Sequence, residues 1–407
     1  MQLWQKIKQK IFFFFYGFLN KKEARVINKI DANASILHLI HILREQKIDR
    51  ILVICDQNFE KQLYFSKLKE NLQGAGMILT LYSEQVENPS VTLVEQCVHL
   101  FFSNSCQAIL SIGGGSVIDL GKATKARALR PDKSLHKLKG LGKVNTSNKS
   151  LPLLITIPTT FTAGESSKTA WIIDHPNQAK YILNDNALQP NYVMHCAEYI
   201  SIMPKRLIAA TGLGTLTQAV EALLSTNNSQ YIEQNAIEAI SELLDKLEQE
   251  ELFAKIDSET IVDLEKTNLA PKNQLIADLL NAAYQAGNAS GRTLAGYVTA
   301  IANALAVYYD LPYSEVSAAT LPLLIEQYLK HKPELFTNLS ENISAEKILT
   351  TISSLQKKWE LETNFPQINV VQIPDLIEFV NNDLRSIYSP PLYLSDEELG
   401  EILKALA

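Results

Sequence analysis

The sequence has few cysteines, no excess of positive charge and no cysteine pair of the CxxC type. Its four cysteines lie in or beside apolar stretches, as reduced core cysteines do. This pattern favours a reducing, cytoplasmic compartment. The 407-residue chain carries a net charge of −6 at pH 7, which argues against a nucleic-acid partner because such proteins need a basic face. A small-molecule partner is therefore expected.

The N-terminal residues 1–25 form an apolar arm with lysines on either side. Its apolar run, residues 11–19, is about half the length that a helix needs to span a membrane. No small-residue cleavage site of the kind that ends a signal peptide follows the run. Two interpretations are open. The arm packs on this domain or on a partner subunit, or residues 1–20 lie on the inner face of an anionic membrane.

Short β-rich stretches alternate with helical patterns between about residues 50 and 200. These stretches are apolar on both faces, which is typical of a parallel sheet covered by helices. The sequence therefore predicts an α/β domain over residues 26–203, with a polar surface loop at 137–150. The predicted strands are RILVICD at 50–56, MILTLYS at 77–83, AILSIGG at 108–114 and LPLLITIPTT at 151–160.

After Pro204 the pattern changes to long stretches with 3.6-residue periodicity. Proline is favoured at the first position of a helix, so Pro204 is expected to open the first helix of this region. The sequence predicts an all-helical domain over residues 204–407. The clearest helical stretches are 230–250, 273–287 and 345–359.

A glycine-rich turn, Gly113, Gly114, Gly115 and Ser116, stands between a predicted strand and a predicted helix. Glycines let backbone N–H groups approach an anion closely, and a helix N-terminus attracts negative charge. The turn is thus a candidate pyrophosphate site, although a tight turn without a ligand has the same pattern. Asp119, on the helix that follows, is a further candidate, but with Lys122 it also fits a helix-stabilising set.

Other polar residues follow the ends of neighbouring predicted strands. Ligands of parallel α/β sheets bind at the carboxyl ends of the strands. Asp56 ends the first strand, where a carboxylate can accept hydrogen bonds from a ribose, or where it starts a turn. Thr159 and Thr160 end the predicted strand at 151–160 and offer hydroxyls to the same ligand.

The order and spacing of four motifs resemble those of the iron-containing alcohol dehydrogenase family. GGGSVIDLGK, ENPS, IPTTFTAGES and GLGTLTQAVEA are similar to the family's GGGSxxDxxK, PNPT, IPTTAGTGSE and GMDALTHAxEA. The resemblance implies a dehydroquinate synthase-like fold. It also implies NAD or NADP and a divalent metal in the cleft between an α/β domain and a helical domain. Relatives often form dimers, so a homodimer is expected.

The resemblance also shows where this chain departs from the family. The family's aspartate and first histidine ligand match Gly214 and Gln218. In the pattern GxxHAxAHxLGxxYxxPHG, histidines match Thr299, Asn303 and Tyr313, and the final glycine matches Ser314. Only one of the chain's seven histidines, His331, lies after Pro204, and it follows the whole motif region. The nucleotide loop is altered as well, because Phe161 and Thr162 replace small residues.

Neutral amide and hydroxyl oxygens are weak ligands for iron or zinc. No tightly bound metal is therefore expected at Gly214, Gln218, Thr299 and Tyr313. One hypothesis is a protein that binds NAD or NADP and is catalytically inactive or non-canonical. The other is a metal-independent oxidoreductase for a small alcohol or aldehyde, with Tyr313, Tyr297 or Lys180 as proton donor. A solvated or capping Glu221 is preferred over a Glu221 that binds a cation.

Overall fold

The computed structural model describes residues 24–29, 31–144, 152–253, 270–294, 296–337, 339–340 and 343–407. By their contacts the described residues form two compact units. The α/β unit comprises Ala24–Ile208 and Gln249–Tyr284, and the helical unit comprises Ala209–Glu248 and Gln285–Ala407. The predicted apolar arm lies outside the described residues, apart from its last two.

The α/β unit is built on a six-stranded sheet in which every pair of neighbouring strands is parallel. Its strands are β1 (Arg25–Lys29), β2 (Arg50–Asp56), β3 (Ile78–Glu84), β4 (Ala108–Gly113), β6 (Leu153–Pro158) and β9 (Tyr192–Cys196). The strand order is β1-β9-β6-β4-β2-β3. The predicted parallel sheet is therefore confirmed, and the sequence pattern missed β1 and β9 at one end of it.

Helices cover both faces of this sheet, so the central strands are buried throughout. In β2, Leu52 and Ile54 belong to one apolar cluster, while Ile51 and Val53 belong to the cluster on the opposite face. Alternate residues of a strand point to opposite faces, so two cores form from one continuous apolar run. The helices are α1 (Ala32–Glu45), α2 (Gln57–Glu60), α3 (Leu63–Gly74), α4 (Val91–Ser103), α5 (Gly115–Leu129) and α6 (Ala197–Ser201).

A second sheet of three strands belongs to the same unit. Its strands are β5 (Gly140–Leu141), β7 (Thr169–Asp174) and β8 (Ala179–Asn184). Their order is β5-β8-β7, and β7 and β8 pair antiparallel. The predicted polar loop at 137–150 therefore contains a short strand, while residues 145–150 lie outside the described part of the chain. The small sheet was not predicted.

After Pro204 the described residues form helices and no named strand, as the periodicity predicts. The first of them begins directly after Pro204. Serine side chains cap several N-termini, such as Ser395, which forms a capping box with Glu398. The helices are α7 (Lys205–Leu224), α8 (Gln230–Lys246), α9 (Ala270–Thr293), α10 (Tyr297–Tyr309), α11 (Tyr313–His331), α12 (Ala345–Lys358), α13 (Ile373–Ile387) and α14 (Asp396–Ala405).

The first part of α9 belongs with the α/β unit. The Asn28 amide of β1 donates to Asn281 Oδ1 at 3.1 Å, and the Tyr284 hydroxyl donates to the Ala24 carbonyl at 3.3 Å. These bonds connect a late segment of the chain to the sheet edge. The predicted domain boundary at residues 203 and 204, which places all of α9 in the helical domain, stays a prediction.

Among the described helices, α7 is long and apolar enough to cross a membrane by length and composition. Of the 18-residue window that meets this test, 83% is buried inside the protein. Core helices of soluble proteins have the same properties, so α7 is weak evidence for a membrane span.

Candidate functional site

The glycine turn connects the end of β4 to the start of α5. Gly114 is the N-cap of α5, and no side chain among the described residues caps this N-terminus. A Cβ atom at Gly113 would lie 2.7 Å from Val117 Cβ, and one at Gly115 would lie 2.9 Å from Thr162 Oγ1. Because both distances are too short for real Cβ atoms, the turn needs glycine. It leaves the first N–H groups of α5 without intrahelical partners, ready for an anion.

The two predicted threonines lie against this turn. The Thr159 backbone N–H donates to the Gly113 carbonyl at 3.1 Å. Thr160 is 8% exposed, and its Oγ1 lies 3.1 Å from the Cβ position of Gly114. Thr162, a residue larger than the family's glycine, accepts a hydrogen bond from Gly164 N at 3.1 Å. The structure therefore brings the threonines and the glycines together.

The polar side chains that were predicted to bind the same ligand as the turn have hydrogen-bond partners within the protein. Asp56 is the N-cap of α2 and accepts a hydrogen bond from Asn58 N at 2.7 Å, which is the turn-starting alternative. The Ser116 hydroxyl donates to the Glu87 carbonyl. Asp119 accepts from Trp171 N at 3.0 Å, and burial raises the pKa of Asp119 to about 6. Ligand contacts for these side chains stay predictions.

Lys122 holds the loop that follows β6 in place. Its side chain is fully buried, and its ammonium group donates to the Gly164 carbonyl, to Ser167 Oγ at 3.0 Å and to the Thr169 carbonyl at 3.0 Å. Burial lowers the pKa of Lys122 to about 8, while Asp119 and Glu165 act in the opposite direction. This lysine connects α5 to the loop that follows β6.

In the helical unit, three of the four positions that match the family's metal ligands form a hydrogen-bonded chain. Thr299 Oγ1 and the Tyr313 hydroxyl are 3.1 Å apart, and the Gln218 side chain also hydrogen-bonds Tyr313. The hydroxyl of Thr299 also donates to Glu221 Oε2 at 2.9 Å. Burial raises the pKa of Tyr313, and the neighbouring Glu221 raises it further.

The side chain of Glu221, on α7, accepts hydrogen bonds from the N-terminus of α10. Its Oε1 accepts a hydrogen bond from Val298 N at 2.7 Å, and the carboxylate also accepts from the N–H groups of Thr299 and Gly296. A Cβ on Gly296 would lie 2.6 Å from Oε1, so glycine is required for this approach. Burial raises the pKa of Glu221 to about 7 in spite of these bonds. The structure thus gives Glu221 the capping role.

Asn303, which matches the remaining histidine of the family pattern, belongs to a separate polar group. Its amide donates to Asp383 Oδ2 at 3.2 Å and to the Tyr388 hydroxyl at 3.4 Å. Tyr388 in turn donates to Asp383 Oδ2 at 3.0 Å. Asn303 is 1% exposed, so its amide serves the packing of α10 on α13.

Two of the three proposed proton donors have hydrogen-bond partners of their own. The Tyr297 hydroxyl accepts a hydrogen bond from Leu394 N at 2.8 Å, and burial raises the pKa of Tyr297 to about 12. Lys180 donates to Asn88 Oδ1 at 3.1 Å within the α/β unit. Of the three, only Tyr313 lies among the residues that match metal ligands.

Comparison with known families gives a match over almost all of the chain. Residues 30–195 match the model of the iron-containing alcohol dehydrogenase family, and residues 208–407 match that of its C-terminal domain. The chain belongs to the iron-containing alcohol dehydrogenase family.

Individual relatives agree with this assignment. Alcohol dehydrogenase 4 of Schizosaccharomyces pombe is 28% identical over 327 residues, covering 78% of this chain and 73% of the relative. The 1,3-propanediol dehydrogenase of Klebsiella pneumoniae is 26% identical over 347 residues, covering 82% and 84%.

Solved structures share the fold. A 1,3-propanediol oxidoreductase superposes with a TM-score of 0.79 at 22% identity, covering 95% of this chain and 98% of the other. Sulfoacetaldehyde reductase from Bifidobacterium kashiwanohense, solved in complex with NAD⁺, superposes with a TM-score of 0.73 at 18% identity, covering 94% and 96%.

The residues at the four positions that match the family's metal ligands do not fit iron or zinc. Gln218, Thr299 and Tyr313 offer neutral oxygens or an amide, which bind these metals weakly, and Gly214 offers no side chain. Within the part of the chain that the structure describes, no group of three or more His, Cys, Asp or Glu side chains is placed to hold a metal ion. Glu221, a carboxylate beside these positions, already accepts hydrogen bonds from the start of α10.

Proposed function

We propose that this protein is a dinucleotide-binding member of the iron-containing alcohol dehydrogenase family that does not carry out the family's metal-assisted hydride transfer. NAD or NADP is the proposed ligand, and binding or regulation is the proposed role. The observation that carries the proposal is the hydrogen-bonded chain of Gln218, Tyr313, Thr299 and Glu221 at and beside the positions that match metal ligands.

The chemistry of the family's hydride transfer explains why these residues bear on activity. In hydride transfer between an alcohol carbon and a nicotinamide, a bound metal polarises the substrate oxygen. Loss of several kcal/mol of transition-state stabilisation slows such a step by about three orders of magnitude or more. Gln218 and Thr299 carry no charge that replaces this stabilisation. Tyr313, whose pKa is raised by burial, is held less readily as an anion than an exposed tyrosine.

The α/β unit supports the binding half of the proposal. The turn at Gly113–Gly115 leaves N–H groups at the start of α5, and the buried Thr160 hydroxyl lies beside Gly114. These groups match the negative charge of a pyrophosphate. Asp56 keeps a second carboxylate oxygen for a ribose, since the hydrogen bond from Asn58 N uses Oδ1.

Two measurements on the purified protein test the proposal. Titration calorimetry with NAD⁺, NADH, NADP⁺ and NADPH is expected to give micromolar binding of at least one dinucleotide, and elemental analysis is expected to find iron and zinc far below one per chain. Stoichiometric iron or zinc, or no binding of any dinucleotide, contradicts the proposal. Turnover of small alcohols or aldehydes in the presence of a chelator, lost in Tyr313→Phe, would instead establish a metal-independent oxidoreductase.

A pair of variants locates the nucleotide on the turn. Gly114→Asp adds a carboxylate at an N-cap whose extended backbone suits aspartate, so α5 stays capped while the negative charge repels a pyrophosphate. Gly114→Ala is the matched control, since it adds the same Cβ near Thr160 without the charge. Binding is expected to fall at least tenfold more in Gly114→Asp than in the control. Equal losses would place the nucleotide elsewhere.

The cytoplasmic location, the homodimer and the contact of residues 1–20 with a membrane are further proposals from the sequence. Light scattering tests the dimer. Sedimentation with anionic vesicles, before and after deletion of residues 1–20, tests the membrane contact.

A further inference from the structure

Gly214 lies where α7 and α11 approach each other closely. A Cβ atom at Gly214 would be 3.3 Å from Ser314 Cα, 3.4 Å from Ser314 Cβ and 3.5 Å from Ser317 Oγ. The first distance is tighter than ordinary van der Waals contact, the second is at its limit, and the closest atom is backbone. Gly214 is also buried. The space that a side chain at this position would need is therefore occupied by α11.

Two substitutions relative to the family pattern meet at this contact. The family motif has aspartate at the position of Gly214 and glycine at the position of Ser314, so the side chain has moved from one helix to the other. Protein interiors are close-packed, and an added side chain needs a matching loss across the contact. Loss of the aspartate alone would leave a gap, which the serine partly fills.

We infer that Gly214 and Ser314 are a compensating pair that closes the family's metal position, so that this chain excludes a metal by packing as well as by ligand chemistry. The inference deepens the proposed function and rests on it in one respect, the match between these positions and the family's metal ligands.

The consequence concerns how a metal site could be restored. Returning the four ligands with Gly214→Asp, Gln218→His, Thr299→His and Tyr313→His places a carboxylate against Ser314. Because Ser314 Cα and Cβ already lie 3.3 and 3.4 Å from the Cβ position at Gly214, the new side chain fits only if α11 gives way by a few tenths of an ångström. A fifth substitution, Ser314→Gly, removes one of the two closest atoms. Five changes rather than four are expected to rebuild the site.

The first experiment measures the packing alone, in the absence of metal. Gly214→Asn gives the shape of aspartate without its charge and is made in the native chain and in Ser314→Gly. It is expected to lower the unfolding midpoint by about 5 °C in the native chain and by less than half of that in Ser314→Gly, since overpacking costs a few degrees in a unit of this size. Equal losses in the two backgrounds would overturn the inference.

Two further variants keep this test decisive. Gly214→Ala, which adds only the Cβ, carries the comparison if Gly214→Asn does not fold. Gly74→Ala is the control for the general effect of replacing glycine by alanine, because no other atom lies within 4 Å of a Cβ at Gly74. Its effect is expected to be the same in the native chain and in Ser314→Gly, and coupling of equal size at Gly74 would overturn the inference.

The second experiment measures metal binding without reference to activity. Co²⁺ is titrated into the four-substitution and five-substitution proteins, and its visible absorption bands report coordinated ion. The five-substitution protein is expected to bind at least tenfold more tightly, and equal affinity would overturn the inference. The proposed function fails separately, by stoichiometric iron or zinc in the native protein, so the two failures are distinguishable.

Discussion

The glycine turn of the α/β unit and the polar chain of the helical unit differ in what they are made of. The turn presents backbone N–H groups at the start of α5, and its glycines match the family pattern. The positions in the helical unit that match metal ligands present side chains, and each of them differs from the pattern. A site made of backbone depends on a few glycines, whereas a metal site depends on the identity of every ligand.

This difference explains how the chain can keep the family fold and the glycine turn while its side chains at the metal-ligand positions differ from those of the family. Neutral side chains at Gln218, Thr299 and Tyr313 can satisfy each other's hydrogen bonds, so they leave a stable polar core. Substitutions around the turn were less extensive, although Thr162 now packs against Gly115. The helical unit can therefore stay stable without the family's set of ligand side chains, and the comparison can be tested from both sides.

The largest effect is expected at Lys122, which supports the loop that follows β6. Lys122→Met removes three hydrogen bonds of a buried ammonium group and takes a positive charge away from the buried Asp119, at a cost of about 3–5 kcal/mol in the free energy of unfolding. Urea unfolding checks this, with the exposed Lys137→Met as control. A loss in Lys122→Met no larger than in the control would mean that the loop does not depend on this lysine.

A second prediction concerns the pH dependence of Glu221, measured as the difference in unfolding free energy between the native chain and Glu221→Gln. The pKa in the folded protein is about 7, above the ordinary value of 4.5, so the folded state favours the protonated acid. The stabilisation is full below pH 4.5 and is lost as pH rises through 7, by about 3 kcal/mol in total. Urea titrations between pH 4 and 8 measure it, and a difference independent of pH would contradict the raised pKa.

A third prediction compares ligands for the two regions. A dinucleotide at about one hundred times its dissociation constant should stabilise the native protein by about 2.7 kcal/mol, while Zn²⁺, Fe²⁺ or a chelator should leave the unfolding midpoint unchanged. Thermal unfolding with each addition provides the measurement. A midpoint that falls with chelator would show that the helical unit still holds a metal.

The smallest effect is expected within the polar chain. Tyr313→Phe and Thr299→Val each remove a hydrogen-bonding group and should cost about 1 kcal/mol. Because the two hydroxyls are bonded to each other, the double variant should cost about 0.5–1 kcal/mol less than the sum. Chemical denaturation of the four proteins completes the cycle. Strict additivity would contradict the bond between the two side chains.

Much of the α/β architecture could be predicted from local patterns. The strands β2, β3, β4 and β6 appear as apolar runs because their side chains pack into cores on both faces of the sheet. By contrast, β1 and β9 were missed because RVINK and YVMHC are short and mixed in character. The antiparallel pair of β7 and β8 was missed because TAWIID and AKYILN mix polar with apolar residues. The association of early α9 with the sheet depends on contacts such as that of Asn28 with Asn281, which no local pattern contains.

The sequence by itself determined which chemical groups are available: a glycine turn before a helix, and neutral side chains where the family has metal ligands. Composition and motif order are properties of the chain, so they need no coordinates. Only the tertiary structure decided what those groups contact. It placed Glu221 on the first N–H groups of α10, and it brought Ser314 into the space beside Gly214. Such contacts depend on how helices distant in sequence pack together, and packing is decided by all of their side chains at once.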